Sequence, residues 1–172
     1  MQPNARVLDV ACGSGRHMAW FAGRGCHVTG VDRAPEAISA AGHYGTTLQA
    51  DIENGPWPLA INGQPQQFDV VVVTNYLWRP LFPVLLESLA PGGLLLYETF
   101  TSGNETVGKP SRADFLLQPG ELLQRCQGLQ TIAFEEGFLP CPERFVQRIA
   151  AIKPAATRDA HLPPQRHLLS LK

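Results

Sequence analysis

Three aspartates, Asp9, Asp32 and Asp51, each stand at or near the end of a short apolar run, and Asp9 is followed almost at once by Ala11-Cys12-Gly13-Ser14-Gly15. Side chains that are small or missing let the backbone of such a turn come close to a ligand. Asp32 lies 19 residues after Gly13, the distance expected for the tip of the next strand. A carboxylate at that tip can accept both hydroxyls of a ribose. A Gly-x-Gly pair also suits any tight strand-to-helix turn, and Asp32 could simply cap a helix. The acid before the turn, combined with Asp32 at this spacing, favours cofactor binding over that plainer reading. Three carboxylates at one lip fit a cationic ligand with a free ribose better than a phosphate. Asn75-Tyr76 and Glu98 to Thr101 add polar groups after two further apolar runs, and His17 stands just past the turn.

The elements that must hold these groups follow from periodicity. Arg6 to Ala11 reads as a strand, and helical spacing from Arg16 puts Met18, Phe21 and Ala22 on one side up to Gly23. Cys26 to Val31 is a second strand, Pro35 opens a helix to about Ala41, and Thr46 to Ala50 is a weaker third strand. Pro56, Pro58 and Pro65 argue against a crossover helix between Glu53 and Gln67. Phe68 to Thr74 contains four consecutive valines with no polar face, as in a parallel strand covered on both sides. Helical spacing over Leu81 to Leu89 stops at Pro91-Gly92-Gly93, and Leu94 to Phe100 is a fifth strand. Thr101 to Arg112 reads as a loop. Asp114 to Cys126 suits one helix or two short ones, interrupted by Pro119-Gly120.

Leu129 to Phe138 and Phe145 to Ile152 are two strand-like runs with too short a link for anything but antiparallel pairing. The expected fold is α/β, a Rossmann-like, doubly wound, mostly parallel seven-stranded sheet with a C-terminal antiparallel β-hairpin. In such sheets ligands bind beyond the carboxyl ends of the strands, where strand order reverses. Residues 1–153 are expected to form the domain and 154–172 a tail on its surface.

At 172 residues and 44% apolar content the chain suits one domain with a sizeable core. A net charge of −1 gives no general attraction to nucleic acid or anionic lipid, although the charge is uneven. From Cys141 onward six cations face two carboxylates, leaving that stretch at about +4 and the remainder near −5. No apolar run reaches the roughly 18–20 residues of a membrane span, and the first residues have no secretory pattern. Cys12, Cys26, Cys126 and Cys141 form no paired motif, so buried reduced thiols and a cytoplasmic setting are expected, with no metal.

The segments VLDVACGSGRH and HVTGVDRA resemble the first two motifs of the class I S-adenosylmethionine-dependent methyltransferases. The resemblance continues in order through ADIENGPWPL, FDVVVVTNYLWRPL and LAPGGLLLYETF, covering about residues 5–100. The Gly15-Arg16-His17 turn and the Gly103-Asn104-Glu105 to Lys109-Pro110 loop are also similar to small-molecule methyltransferases of the tellurite-resistance type. The family resemblance implies S-adenosyl-L-methionine as cofactor and a small-molecule acceptor. It gives Asp9 the role of orienting the glycine turn and the cofactor's amino group. The backbone of Ala11, Cys12, Gly13 and Gly15 would wrap the methionine portion and Asp32 would hold the ribose. Arg33 would flank the adenine, with Asp51 and the Ile52 amide at its edge, and Thr74 and Asn75 would lie near the sulfonium. Two departures stand out: Ala11 replaces the family's first glycine, and the first strand begins near residue 6, without the helices that usually precede it.

In-line methyl transfer mainly requires alignment, and a base only where the acceptor keeps its proton. Tyr76, Glu98 and His17 are the candidates for that base, each with a structural alternative. Thr74-Asn75-Tyr76-Leu77 departs from the motif of enzymes that methylate exocyclic or amide nitrogens. Nucleic acid and membrane are not expected partners, whereas a homodimer is compatible with the chain. Arg79, Lys109 and Arg112 could hold an anionic acceptor or be solvated surface groups, and Trp20, Trp57 and Trp78 read as core or rim aromatics. Two alternatives compete: a non-catalytic S-adenosylmethionine-binding module with a regulatory role, and a nicotinamide-dependent oxidoreductase. The second needs a third glycine where Met18 stands.

Overall fold

The computed structural model describes residues 3–155. Its elements are β1 (Arg6–Val10), α1 (Arg16–Ala22), β2 (His27–Asp32), α2 (Pro35–Ala41), β3 (Thr46–Gln49), β4 (Ala60–Ile61), β5 (Gln64–Pro65), β6 (Phe68–Thr74), α3 (Phe82–Glu87), β7 (Leu89–Phe100), α4 (Glu121–Arg125), β8 (Gln130–Pro140) and β9 (Glu143–Ile152). Seven strands form one sheet in the order β3-β2-β1-β6-β7-β9-β8. β3, β2, β1, β6 and β7 run parallel, while β9 pairs antiparallel with both β7 and β8. Strand order therefore reverses between β1 and β6, which opens a crevice beyond Val10 and Thr74. The expected α/β architecture is the one observed.

Alternating side chains divide the core between the two faces of the sheet. On one, Met18 and Phe21 of α1 and Ala41 of α2 pack on Val7, Val28, Val70 and Val72. On the other, Phe82 and Leu85 of α3 and Leu122 and Cys126 of α4 pack on Leu8, Val71, Val73, Leu95 and Ile149. Full burial of each large apolar side chain contributes roughly 1.5–3 kcal/mol. The valine run of β6 belongs to both cores at once, which is why it has no polar face.

Several boundaries differ from expectation. β7 begins at Leu89, five residues early, because Pro91-Gly92-Gly93 forms an irregularity within the strand instead of ending a helix before it. Gly92, at φ +79°, makes that kink possible, and hydrogen bonds between Gly92, Gly93 and Lys153 hold it to the end of β9. The helix expected over Leu81 to Leu89 is a 3-10 turn, Arg79–Leu81, followed by α3, which ends at Glu87. Between Glu53 and Gln67 there is no helix but a small antiparallel pair, β4 and β5, turning through Asn62 and Gly63, both at positive φ. The loop after β7 contains a short turn at Asn104–Thr106, and α4 follows a second turn at Ala113–Phe115. The hairpin pairing runs on to Pro140 and Glu143, so its loop is only Cys141-Pro142.

Among the described residues no helix is long and apolar enough to cross a membrane, and no group of three or more His, Cys, Asp or Glu could hold a metal ion. Cys12, Cys26 and Cys126 are buried thiols, whereas Cys141 is exposed. Most of the tail expected beyond Lys153, from residue 156, lies outside the described residues.

Candidate functional site

The turn after β1 is built from opposed requirements. Ala11 sits at φ +53° and Gly13 at +53°, so the chain doubles back directly beyond Val10. Left-handed geometry costs a residue with a Cβ roughly 1–2 kcal/mol, and such strain collects at functional sites. The turn is fastened by Cys12 N–H to the Val31 carbonyl (3.1 Å) and by Gly15 N–H to the Cys12 carbonyl (3.0 Å). Asp32 completes it: Oδ2 accepts the Gly13 amide at 2.9 Å and Oδ1 accepts the Ala34 amide at 2.9 Å. The two glycines serve different ends. A Cβ on Gly13 would meet no protein atom within 4 Å, so its bare face opens outward. A Cβ on Gly15 would lie 3.0 Å from the Ala41 Cα, so that glycine lets α1 and α2 pack closely.

Behind the turn, Asp9 is 1% exposed and its Oδ2 has no hydrogen-bond partner. Burial pushes its pKa up to about 7, assisted by the nearby Asp32 charge and opposed by a Met18 backbone hydrogen bond and Arg16. A buried, unsatisfied carboxylate oxygen costs free energy, and a cationic ligand would relieve it. Burial likewise raises the Cys12 thiol to about 12, so it is no nucleophile at neutral pH.

On the open side a crevice of about 280 Å³ gathers Ala11, Asp32, Arg33, Asp51, Ile52 and Tyr76. Asp51 is exposed and organises its own loop, accepting the Glu53 amide at 3.0 Å and the Asn54 side-chain amide at 2.9 Å. Those bonds, the Asn54 one first, hold its pKa below the usual carboxylate range. Tyr76 donates to Glu53 Oε1 at 3.2 Å, and burial together with the Glu53 charge keeps its phenol protonated well above neutral pH. Tyr76 is thereby a wall of this crevice and unsuited to act as a base. Leu77, Glu53 and Phe115 also line it. Sequence reasoning passed over all three: Phe115 comes from a distant loop, and only tertiary folding brings it here.

The other predicted residues lie on the α1 side of the β6 and β7 tips. His17 Nε2 is 3.1 Å from Thr74 Oγ1 and 3.0 Å from an Arg16 guanidinium nitrogen. Guanidinium only donates, so Nε2 is an acceptor and the ring proton sits on Nδ1. Burial first, then the Arg16 charge, lowers the His17 pKa. Glu98 stands between Arg144 and Arg148, each 3.6 Å away, and Arg148 also pairs with Glu135. Asn75 is at φ +54° and anchors the tip of β6 by donating its amide to the Glu98 carbonyl at 2.9 Å.

Arg79 is engaged within the protein. It grips Glu121 through two nitrogens at 2.8 Å and the carbonyls of Asp114 and Leu116 at 2.7 and 2.8 Å. Arg112 pairs with Asp114 in solvent, and Lys109 is exposed. Trp57 and Trp78 pack against the α3/α4-side core, and Trp20 is half exposed on α1 beneath the Arg24 guanidinium.

Residues 7–93 match the family described as a methyltransferase domain. The ubiquinone biosynthesis O-methyltransferase of Xylella fastidiosa is 34% identical over 102 residues, covering 55% of this chain and 42% of that protein. The ribosomal protein L11 methyltransferase of Burkholderia mallei is 38% identical over 98 residues, covering 54% of this chain and 31% of that one. The chain thus spans less than half the length of these curated relatives. TehB from Haemophilus influenzae superposes with a TM-score of 0.71 at 21% identity, over 89% of this chain and 58% of that chain. A S-adenosylmethionine-dependent methyltransferase from Methanosarcina mazei gives 0.69 at 16% identity, over 90% and 95%. These two likenesses are of fold. With residues 7–93, half of the sequence, matched, the chain belongs to the methyltransferase-domain family, and its seven-stranded sheet is the class I S-adenosylmethionine-dependent methyltransferase fold.

Proposed function

We propose that this chain binds S-adenosyl-L-methionine at the β1–β2–β6 tips and transfers its methyl group to a small molecule. The observation that carries the reading is the Asp9 carboxylate, 1% exposed with an unpartnered Oδ2, set behind a turn whose Gly13 presents bare backbone. An ammonium group near that turn would satisfy the orphaned oxygen. The crevice beside it offers Asp32 to a ribose, and Arg33, Asp51 and the Ile52 amide to an adenine. The donor set therefore fits a cationic nucleoside.

When bound, the cofactor supplies a sulfonium whose methyl group is electrophilic without further activation. The chain's part is to align and enclose. Asp9 anchors the amino-acid end, Asp32 keeps the turn closed while presenting its carboxylate, and Tyr76 and Leu77 wall the base. Thr74 and Asn75 sit at the strand tip where the methyl group would leave, and alignment of that kind can remove roughly 7–11 kcal/mol of barrier. The relatives' names include an O-methyltransferase of ubiquinone biosynthesis, which supports a small-molecule acceptor. A cytoplasmic location and a homodimer accord with this reading. A nicotinamide cofactor is less well supported, because Met18 is fully buried where a third glycine would be needed and the sheet ends in an antiparallel pair.

Calorimetric titration with S-adenosylhomocysteine tests the site. Binding near one equivalent is expected, with no heat from NAD. Absence of binding by the folded protein would rule the assignment out.

A further inference from the structure

Phe115, in the loop between β7 and α4, is 39% exposed, yet the backbone on either side of it is firmly held. Arg79 donates to the carbonyls of Asp114 and Leu116, the two neighbours of Phe115, at 2.7 and 2.8 Å. The same guanidinium grips Glu121 through two nitrogens at 2.8 Å, and Arg125 holds that carboxylate from the next turn of α4. Just past Phe115, Leu116 and Leu117 are buried, and backbone hydrogen bonds join Leu117 to Phe100 and Ser102 at the end of β7. A lone exposed aromatic on a loose loop calls for no explanation. Here an ion pair and two buried leucines keep the ring at the surface, at the lip of the crevice that gathers Asp32, Arg33 and Asp51.

We infer that Phe115 stacks on the purine base of the cofactor, and that Arg79 is the positioning residue that holds the ring there. The inference rests on the S-adenosylmethionine reading above. Position puts the ring at the base end. It shares its crevice with Arg33, Asp51 and Ile52, whereas Thr74, where the methyl group would leave, lines a separate cavity beside α1. A base offers a flat π-face, and an aromatic side chain stacked on it adds affinity without needing particular hydrogen-bond partners. The Arg112 guanidinium stands over the Phe115 ring, 5.3 Å from its centroid, which leaves the second face for a flat partner. A ring fixed before the ligand arrives loses little freedom on binding. Arginine suits position 79 because its planar fork reaches a carboxylate and two carbonyls at once, which an ammonium cannot do. Arg79 does not line the crevice and acts through Phe115. Phe115 also lies beyond residues 7–93, so the family match carries no role over to it.

The test is calorimetric titration of S-adenosylhomocysteine into the parent chain and into Phe115 and Arg79 variants. Phe115→Ala should weaken binding about tenfold or more, the range for a lost base–aromatic stack, while the chain stays folded. Phe115→Trp should restore the affinity and Phe115→Leu should not, since stacking needs a flat ring. Arg79→Lys should weaken binding about fivefold in the parent and not at all in the Phe115→Ala background, a non-additivity that a merely stabilising arginine would not show. Phe115→Ala binding like the parent, rescue by Phe115→Leu equal to that by Phe115→Trp, or Arg79→Lys costing the same affinity in both backgrounds each overturns the inference. Should Arg79→Lys fail to fold, the Phe115 series decides alone. Failure of the parent chain to bind S-adenosylhomocysteine removes the reading underneath and this inference with it, whereas parent binding that ignores Phe115 removes only this inference.

Discussion

Asp32 Oδ2 accepts the Gly13 amide at 2.9 Å, so the carboxylate at the tip of β2 also ties down the turn beyond β1. Local structure and ligand binding thus share one side chain. Asp32→Ala should weaken S-adenosylhomocysteine binding by about 1.5–3 kcal/mol, the range for a lost charged hydrogen bond, and also lower Tm. Asp32→Asn should recover most of the Tm, because its single carbonyl can still accept one of the two amides, but little of the affinity. Calorimetry and thermal melts on the same samples separate the two effects.

Asp9 makes cofactor binding dependent on pH. Its folded pKa of about 7 lies above the unfolded value of 3.8, so the ligand-free fold favours the protonated acid. Stability associated with that proton is full below about pH 4 and is lost as pH rises towards 7. A cationic ligand needs the ionised form, so affinity should fall by up to about tenfold per pH unit below 7 and level off above it. Asp9→Asn should flatten this profile, weaken binding, and raise the Tm of the ligand-free protein at pH 8. Titrations between pH 5.5 and 8.5 would show whether the slope belongs to Asp9.

Gly13 and Gly15 predict opposite phenotypes. Gly15→Ala forces a Cβ to within 3.0 Å of the Ala41 backbone at φ +85°, and should cost about 2–3 kcal/mol of stability, read from urea midpoints. Gly13→Ala meets no protein atom and should cost only about 1 kcal/mol of backbone strain. Gly13→Val should abolish S-adenosylhomocysteine binding while the chain still folds.

Arg79 should be structural. Burial opposes ionisation of Glu121, yet the Arg79 hydrogen bonds hold its pKa down at about 2. Arg79→Ala should destabilise the chain by about 2 kcal/mol, measured by denaturant unfolding, because it leaves the nearly buried Glu121 carboxylate with only the more exposed Arg125 as its cation. In the parent, the Glu121 contribution is present above its ordinary pKa of 4.5 and disappears as pH falls towards 2. The Arg79→Ala variant should therefore lose less stability than the parent across that window.

Periodicity and spacing alone were enough for β1, α1, β2, α2 and β6, and for placing Asp9, Asp32 and Asp51 at strand ends, because each depends on contacts within a few residues or on one repeating pattern. Asn62-Gly63 was an unread signal for the β4–β5 turn, since both residues tolerate positive φ. Tertiary structure decided the rest. Pro91-Gly92-Gly93 looks like a helix terminator until β9 pairs with it and holds a kink inside β7. Arg79 looks like a surface cation until the loop at Asp114–Leu116 and Glu121 close around it. Likewise, only packing could show that Asp9 keeps an unpartnered oxygen, that Phe115 reaches the crevice, and that His17 meets Thr74 across 57 residues. A repeating pattern fixes which face of an element is apolar. Which distant groups share a cavity depends on how those faces are stacked.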